Sequence, residues 1–305
     1  MYKRQAKESS IKAIDADRMY LDYAGPYNFY TTARCHDLHM MMYTCMFMGQ
    51  FEPAMEAAEE MCGYLTPDVI DNPHKPQMYV TMEGYYSMKM HVLVRFGKWQ
   101  EIIDTPMPQP ADLYCVSTAM HHYARTVACA TLGRFDDALR ERAAFYRVLE
   151  SIPAERKFFN NTAHDILGVA EMMMEGELNY HQGNYDVAFG CLRTSVERND
   201  NLAYSEPWAW MHPPRHALGA LLLEQGEHEE AERVYRTDLG LNNELQRCAQ
   251  HRGNIWSLHG LAECLAHREE TGQLADIQSQ LESARAKSDF GITSSCCCRK
   301  KVAFF

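Results

Sequence analysis

The sequence predicts an all-α fold, a right-handed α-solenoid of stacked helical hairpins. Three observations point there. First, a short phrase recurs: a glycine, a bulky residue two positions later, and a small or aliphatic residue three after that. It reads Gly49/Phe51/Ala54, Gly97/Trp99/Ile102, Gly133/Phe135/Ala138, Gly183/Tyr185/Ala188 and Gly226/His228/Ala231, with a looser copy at Gly272/Leu274/Ile277. Second, the intervals between these glycines are 48, 36, 50, 43 and 46 residues, the spacing of helical repeat arrays. Third, prolines punctuate the stretches between copies, and no strand pattern of note is present.

Each phrase is expected to close one helix and open the next. Glycine suits the turn because it accepts positive φ at a helix end. The bulky residue packs into the hairpin, and the small one lets the two helices approach. Around Gly133, the stretch from Thr118 to Thr131 is rich in helix-tolerant Ala, Met and Arg, and apolar residues then recur at Phe135, Ala138, Leu139 and Ala143. The same reading places hairpins near 27–62, 77–104, 111–151, 155–198, 206–238 and 252–286. Linkers carry Pro67, Pro73 and Pro76, then Pro106, Pro108 and Pro110, then Pro153. Pro213 and Pro214 belong to the start of the helix running to Gln225. Residues 1–25 form an orphan helix, 26–286 the repeat array, and 287–305 a cysteine-rich basic tail.

The phrase and its spacing resemble the tetratricopeptide repeat, whose consensus is about 34 residues long. The best copy is Leu218-Gly219, Gly226, Ala231 and Tyr235. The segment Glu206-Pro207-Trp208-Ala209-Trp210-Met211-His212-Pro213-Pro214-Arg215, continuing through Asn254-Ile255-Trp256-Ser257-Leu258-His259-Gly260-Leu261, is similar to a group of mostly bacterial tetratricopeptide-containing proteins. The resemblance implies a curved array of about six hairpins that presents a concave binding groove. Ala6 and Ala13 then fall where a second helix carries small residues, and Met1 falls at the turn. The chain is therefore expected to start within a hairpin, as a truncated form would; the alternative is a capping helix.

In such arrays four positions of each first helix face the groove. The register assigns His36, His39, Tyr43 and Met46; then Gly84, Ser87, His91 and Val94; then Met120, Tyr123, Val127 and Ala130; then Ala170, Met173, Glu177 and Tyr180; then Pro213, His216, Ala220 and Leu223. This wall is rich in His, Tyr and Met and has no Lys or Arg, so a clamp for a peptide carboxylate is not expected. Trp208, His212 and Arg215 offer flat amphipathic surface and a bidentate donor. They would form one wall of a ligand pocket or, alternatively, a proline-stiffened linker whose tryptophans plug the gap between hairpins. Met40, Met41, Met42, Met46 and Met48 read as adaptable core.

Function follows from these residues by fold-level analogy. The leading expectation is a scaffold whose His/Tyr/Met groove holds a peptide or protein segment. The alternative is a metal- or small-molecule-binding enzyme. There His36 and His39, three apart on one helix, would join Glu177 on a transition metal. Otherwise no cofactor is expected. No phosphate-cradling loop, nucleophile elbow or paired-histidine zinc motif is present. The net charge of −11 argues against nucleic acid and favours a basic partner. No apolar run is long enough to span a bilayer, and no secretory signal opens the chain, so a cytoplasmic location with free thiols is expected. Cys296-Cys297-Cys298 before Arg299-Lys300-Lys301 reads as an exposed thiol tail or an acylation site.

Overall fold

The computed structural model describes residues 2–26, 28, 30–71, 78–268 and 271–300; Met1, Pro73, Pro76 and Lys301 lie outside them. Those residues are mostly helical. A long helix α1 (Tyr2–Ala24) precedes α2 (Thr31–Met48), α3 (Phe51–Tyr64) and the single turn α4 (Pro67–Ile70). Next come α5 (Met78–Tyr86), α6 (Met88–Arg95) and α7 (Trp99–Asp104), then α8 (Cys115–Thr131) and α9 (Phe135–Ser151). After a short hairpin of β1 (Lys157–Phe158) and β2 (Asn161–Thr162) follow α10 (Ala163–His181) and α11 (Tyr185–Asp200). The last helices are α12 (Pro214–Gln225), α13 (His228–Leu239), α14 (Ile255–His267) and α15 (Thr271–Arg285).

Consecutive helices pack in pairs: α2 on α3, α8 on α9, α10 on α11, α12 on α13 and α14 on α15. The glycine phrase explains the tight turns. Gly49 and Gly226 cap their helices at φ 70° and 84°, where a Cβ would be strained, and each amide N–H bonds back into the last turn. The small residue five positions on is fully buried in every strict copy: Ala54, Ile102, Ala138, Ala188 and Ala231. The loose copy behaves differently. Gly272 lies inside the first turn of α15 and makes no interhelical turn.

Two local features depart from the expected pattern. The first helix of the second hairpin is broken at Ser87, whose hydroxyl donates to the Gly84 carbonyl at 2.6 Å, giving α5 and α6. The β-hairpin pairs Lys157 with Thr162 and Phe158 with Asn161. Its Phe158 ring fills the space a side chain at Gly84 would occupy, 2.6 Å from that Cβ position. Two-residue strands are too short to leave a readable alternation.

The first helices of the pairs form the inside. There α6 touches α8, α8 touches α10, α12 touches α14, and α14 returns to α2. Trp256 on α14 seals this last contact by donating its indole N–H to the Met46 carbonyl at 2.7 Å. Tyr235 of α13 lies between α12 and α14, its ring against the backbones of Gly219 and Gly260, where only glycine leaves room. Helix α14 thus packs back against α2 across the inside.

The chain's own segments fill what remains. Trp210 and His212 of the linker before α12 are buried between inner helices. Much of the tail is buried, including Ile292, Ser294, Ser295, Cys296, Cys298 and Arg299. Asp289 accepts the Phe51 amide at 2.6 Å and so caps α3 from the far end of the sequence. Ser288 donates to the Gly49 carbonyl at 2.6 Å. Arg299 makes a two-pronged pair with Glu263 of α14 at 2.8 and 2.7 Å, and both residues are buried.

Candidate functional site

The densest polar arrangement lies at the centre, where inner helices, linker and tail meet. Its hub is Asp238, in the last turn of α13. Gly240 ends that helix in the left-handed region. The chain then doubles back, so that the His251 amide donates to the Asp238 carbonyl at 2.7 Å. The fully buried Asp238 carboxylate accepts four side-chain hydrogen bonds. They come from His216 Nε2 (3.0 Å), His251 Nδ1 (2.8 Å), Asn254 Nδ2 (2.8 Å) and Ser257 Oγ (2.6 Å). Asn254 also caps α14, its amide oxygen accepting the Ser257 N–H.

The hub extends in two directions. Arg95 of α6 donates Nη1 to His216 Nδ1 at 2.7 Å, which fixes the proton of that imidazole on Nε2, toward Asp238. In the other direction His251 Nε2 lies 3.1 Å from the Tyr43 hydroxyl, which donates to it. Arg95 is itself buried, with its guanidinium 3.9 Å from the centre of the Trp256 ring. Its other nitrogen donates to the Ser295 carbonyl of the tail at 2.5 Å. The Ser295 hydroxyl bonds the His216 carbonyl at 2.9 Å and the Tyr235 hydroxyl at 2.6 Å.

Electrostatics follow from burial and pairing. Burial would raise the Asp238 pKa, but the two imidazoles and their hydrogen bonds hold it well below the usual carboxylate value. Burial pushes His216 down to about 4, with Asp238 opposing, so its imidazole is neutral. Arg95 is lowered by burial to about 10 and keeps its charge near neutral pH. Lys3 of α1 donates to the Arg252 carbonyl at 2.9 Å near the same centre, and burial lowers it to about 7 against the pull of Asp238.

The expected groove residues divide into three groups. His91, Tyr123 and His212 form a second buried cluster. His91 Nδ1 lies 3.0 Å from His212 Nδ1, and His212 Nε2 lies 3.2 Å from the Tyr123 hydroxyl. Burial holds His91 down to about 3 and raises Tyr123 well above its ordinary value. Tyr43 and His216 belong to the hub. The remainder go elsewhere. Tyr180 accepts from Gln225 at 2.7 Å, and Arg215 is held bidentately by Asp200 at 2.6 and 2.5 Å. Trp208 donates to the Cys248 carbonyl at 3.3 Å. Trp208, Arg215 and His251 border a cleft of only about 20 Å³, room for one water rather than an organic ligand.

The histidine metal set does not assemble. The His36 side chain is 43 % exposed and faces Asp37. His39 is buried, stacked on Phe159 at 5.3 Å and edge-on to Tyr85, and neither ring nitrogen has a hydrogen-bond partner among the described residues. Glu177 lies with neither histidine; its neighbours are the sulfurs of Cys296 and Cys298. Those two cysteines are buried and joined as a disulfide, which corrects the expectation of free, exposed tail thiols.

The register of groove positions also missed Arg95, Asp238 and His251. Arg95 follows Val94, the last inward position counted, so the inner face does carry a cation. Among the described residues no helix is long and apolar enough to cross a membrane. In comparisons with known proteins, no family model matches the chain and no curated protein matches it.

Proposed function

We propose that this chain is a binding scaffold whose inner helical face holds a non-helical peptide segment, and that its own residues 288–299 sit there in the free state. The observation that carries the reading is the way the tail is held. Arg95 bonds the Ser295 main-chain carbonyl, Tyr235 bonds its hydroxyl, and Glu263 takes Arg299. Main-chain contacts at the centre and one charge-specific contact at the end are how a peptide site combines tolerance with selectivity. The buried Glu263 and the net charge of −11 favour a basic protein or peptide partner over nucleic acid. The positive-φ turns and buried small residues support degenerate tetratricopeptide-like hairpins in a right-handed solenoid, drawn closed around the tail. A cytoplasmic location belongs to the same reading.

The test is competition for Glu263. Replacing Arg299 with alanine leaves a buried carboxylate unpaired, a loss of about 3–5 kcal/mol for a pair of this kind. The tail should then yield to a competitor. A fluorescent peptide copying residues 289–300, with serine at each cysteine, is expected to bind Arg299→Ala at least tenfold more tightly than the original chain, by anisotropy. A copy with glutamate in place of its arginine should not bind. Equal binding of both peptides, or none by a variant that keeps its helical circular dichroism, would contradict the proposal.

A further inference from the structure

Glu177 meets the tail cysteines at a point that the peptide reading does not use. A carboxylate oxygen of Glu177 and the sulfurs of Cys296 and Cys298 all lie within 4.8 Å of one another, and all three residues are buried. Glu177 is 1 % exposed, and its Oε2 has no hydrogen-bond partner among the described residues. A buried carboxyl without a partner is costly, and its persistence calls for a ligand. Cys297 takes no part: its sulfur is directed at the Arg95 carbonyl, 3.6 Å away.

We propose that the reduced form of Cys296 and Cys298, together with Glu177, is a site for Zn²⁺ or a similarly thiophilic divalent cation. Two sulfurs and one carboxylate are a donor set that zinc accepts, and they leave the fourth tetrahedral position for water. Charge supports the assignment. Two thiolates and a carboxylate carry three negative charges, which the divalent ion and the neighbouring Arg95 cancel. Without the ion, three negative charges could not share so dry a space, which is consistent with the disulfide.

The chemistry balances with an external dithiol as reductant. Its two electrons break the Cys296–Cys298 bond, two thiols form on the chain, and the reductant departs as its own disulfide. Zn²⁺ then displaces one proton from each thiol and one from the Glu177 carboxyl, forming two Zn–S bonds and one Zn–O bond. Transfer of two electrons from the thiolates to a disulfide oxidant restores the bridge and expels the metal. The bound ion would fasten the tail to α10, so the site joins redox state to the seating of the tail. It does not depend on the scaffold reading, because it requires only the position of residues 296–298.

The experiment titrates the full chain, reduced with a phosphine, with Co²⁺ alone. One equivalent should produce a thiolate-to-cobalt charge-transfer band in the near ultraviolet, removed by Zn²⁺. The same chain reoxidised to the disulfide should give none, a control that involves no mutation. Cys296→Ser should abolish the band and Cys297→Ser should retain it. Glu177→Gln should weaken binding about tenfold or more, since even outer-shell partners are worth that much. No band in the reduced chain, an undiminished band in Cys296→Ser, or unchanged affinity in Glu177→Gln would each overturn the assignment.

Discussion

Asp238→Ala is expected to destabilise the chain by about 3–5 kcal/mol, a large part of the stability of an ordinary domain. The size follows from what the carboxylate holds. It is the shared acceptor of His216, His251, Asn254 and Ser257, and all four would lose a buried partner together. Each buried donor left unmade costs about 1–3 kcal/mol, with some recovery by relaxation. Arg95 would also lose, through His216, the nearest negative charge of the network. Asp238→Asn should fall between the two, since its amide oxygen accepts from some donors while its NH₂ group opposes others. Urea denaturation midpoints at neutral pH give the comparison. An alanine variant within about 1 kcal/mol of the original chain would show that the hub is not the keystone described here.

Acidification from pH 6.5 to 4.5 is expected to lower stability by at least about 1.4 kcal/mol per pH unit, the slope of one uncompensated proton. Burial lowers the pKa values of His39, His91, His121, His181, His212, His216, His228 and His259. His91 stands at about 3, and His121, His181 and His216 at about 4. These rings hold a proton less readily in the fold, whereas the unfolded chain protonates them below about 6.5. The unfolded state then binds more protons, so stability falls as pH falls through this window. Three carboxyls act in the opposite sense. Burial raises Asp17 to about 6, Glu83 to about 7 and Glu177 to about 8, so the fold keeps protons that the unfolded chain releases above about 4. Lys3, at about 7, is mostly protonated in both states across the window. Eight imidazoles against three carboxyls leave the sign to the histidines. Urea midpoints measured from pH 6.5 to 4.5 should decline steadily; a flat or rising series would contradict the burial described.

Local chemistry was legible in the sequence, and closure was not. A glycine followed by a buried small residue is a turn because of steric rules that act within a few residues. Gly49, Gly133 and Gly226 could therefore be placed without a structure. Gly272 shows the limit of the phrase, since its loose copy falls inside a helix. His91, Tyr123, Glu177 and His216, given inward positions by the register that the tetratricopeptide resemblance implies, are buried. What they face was not legible. That α14 returns to α2, and that Trp210, His212 and the tail occupy the interior, depends on contacts between residues far apart in sequence, which no local pattern encodes. His39 satisfies its apolar surroundings by stacking on Phe159, a residue of the short β-hairpin that left no strand signal. Asp238 and His251 lie outside the counted positions, and only the doubling back of the chain after Gly240 joins them.

Whether the tail occupies the inner face is measured by a double-mutant cycle between Arg299 and Glu263. The unfolding free energies of Arg299→Ala, Glu263→Ala and the double variant are compared with that of the original chain. A tail seated as described predicts a coupling of about 1–3 kcal/mol between residues 36 positions apart in sequence, from a buried two-pronged pair. Additive effects, with coupling indistinguishable from zero, would mean that the tail does not lie there.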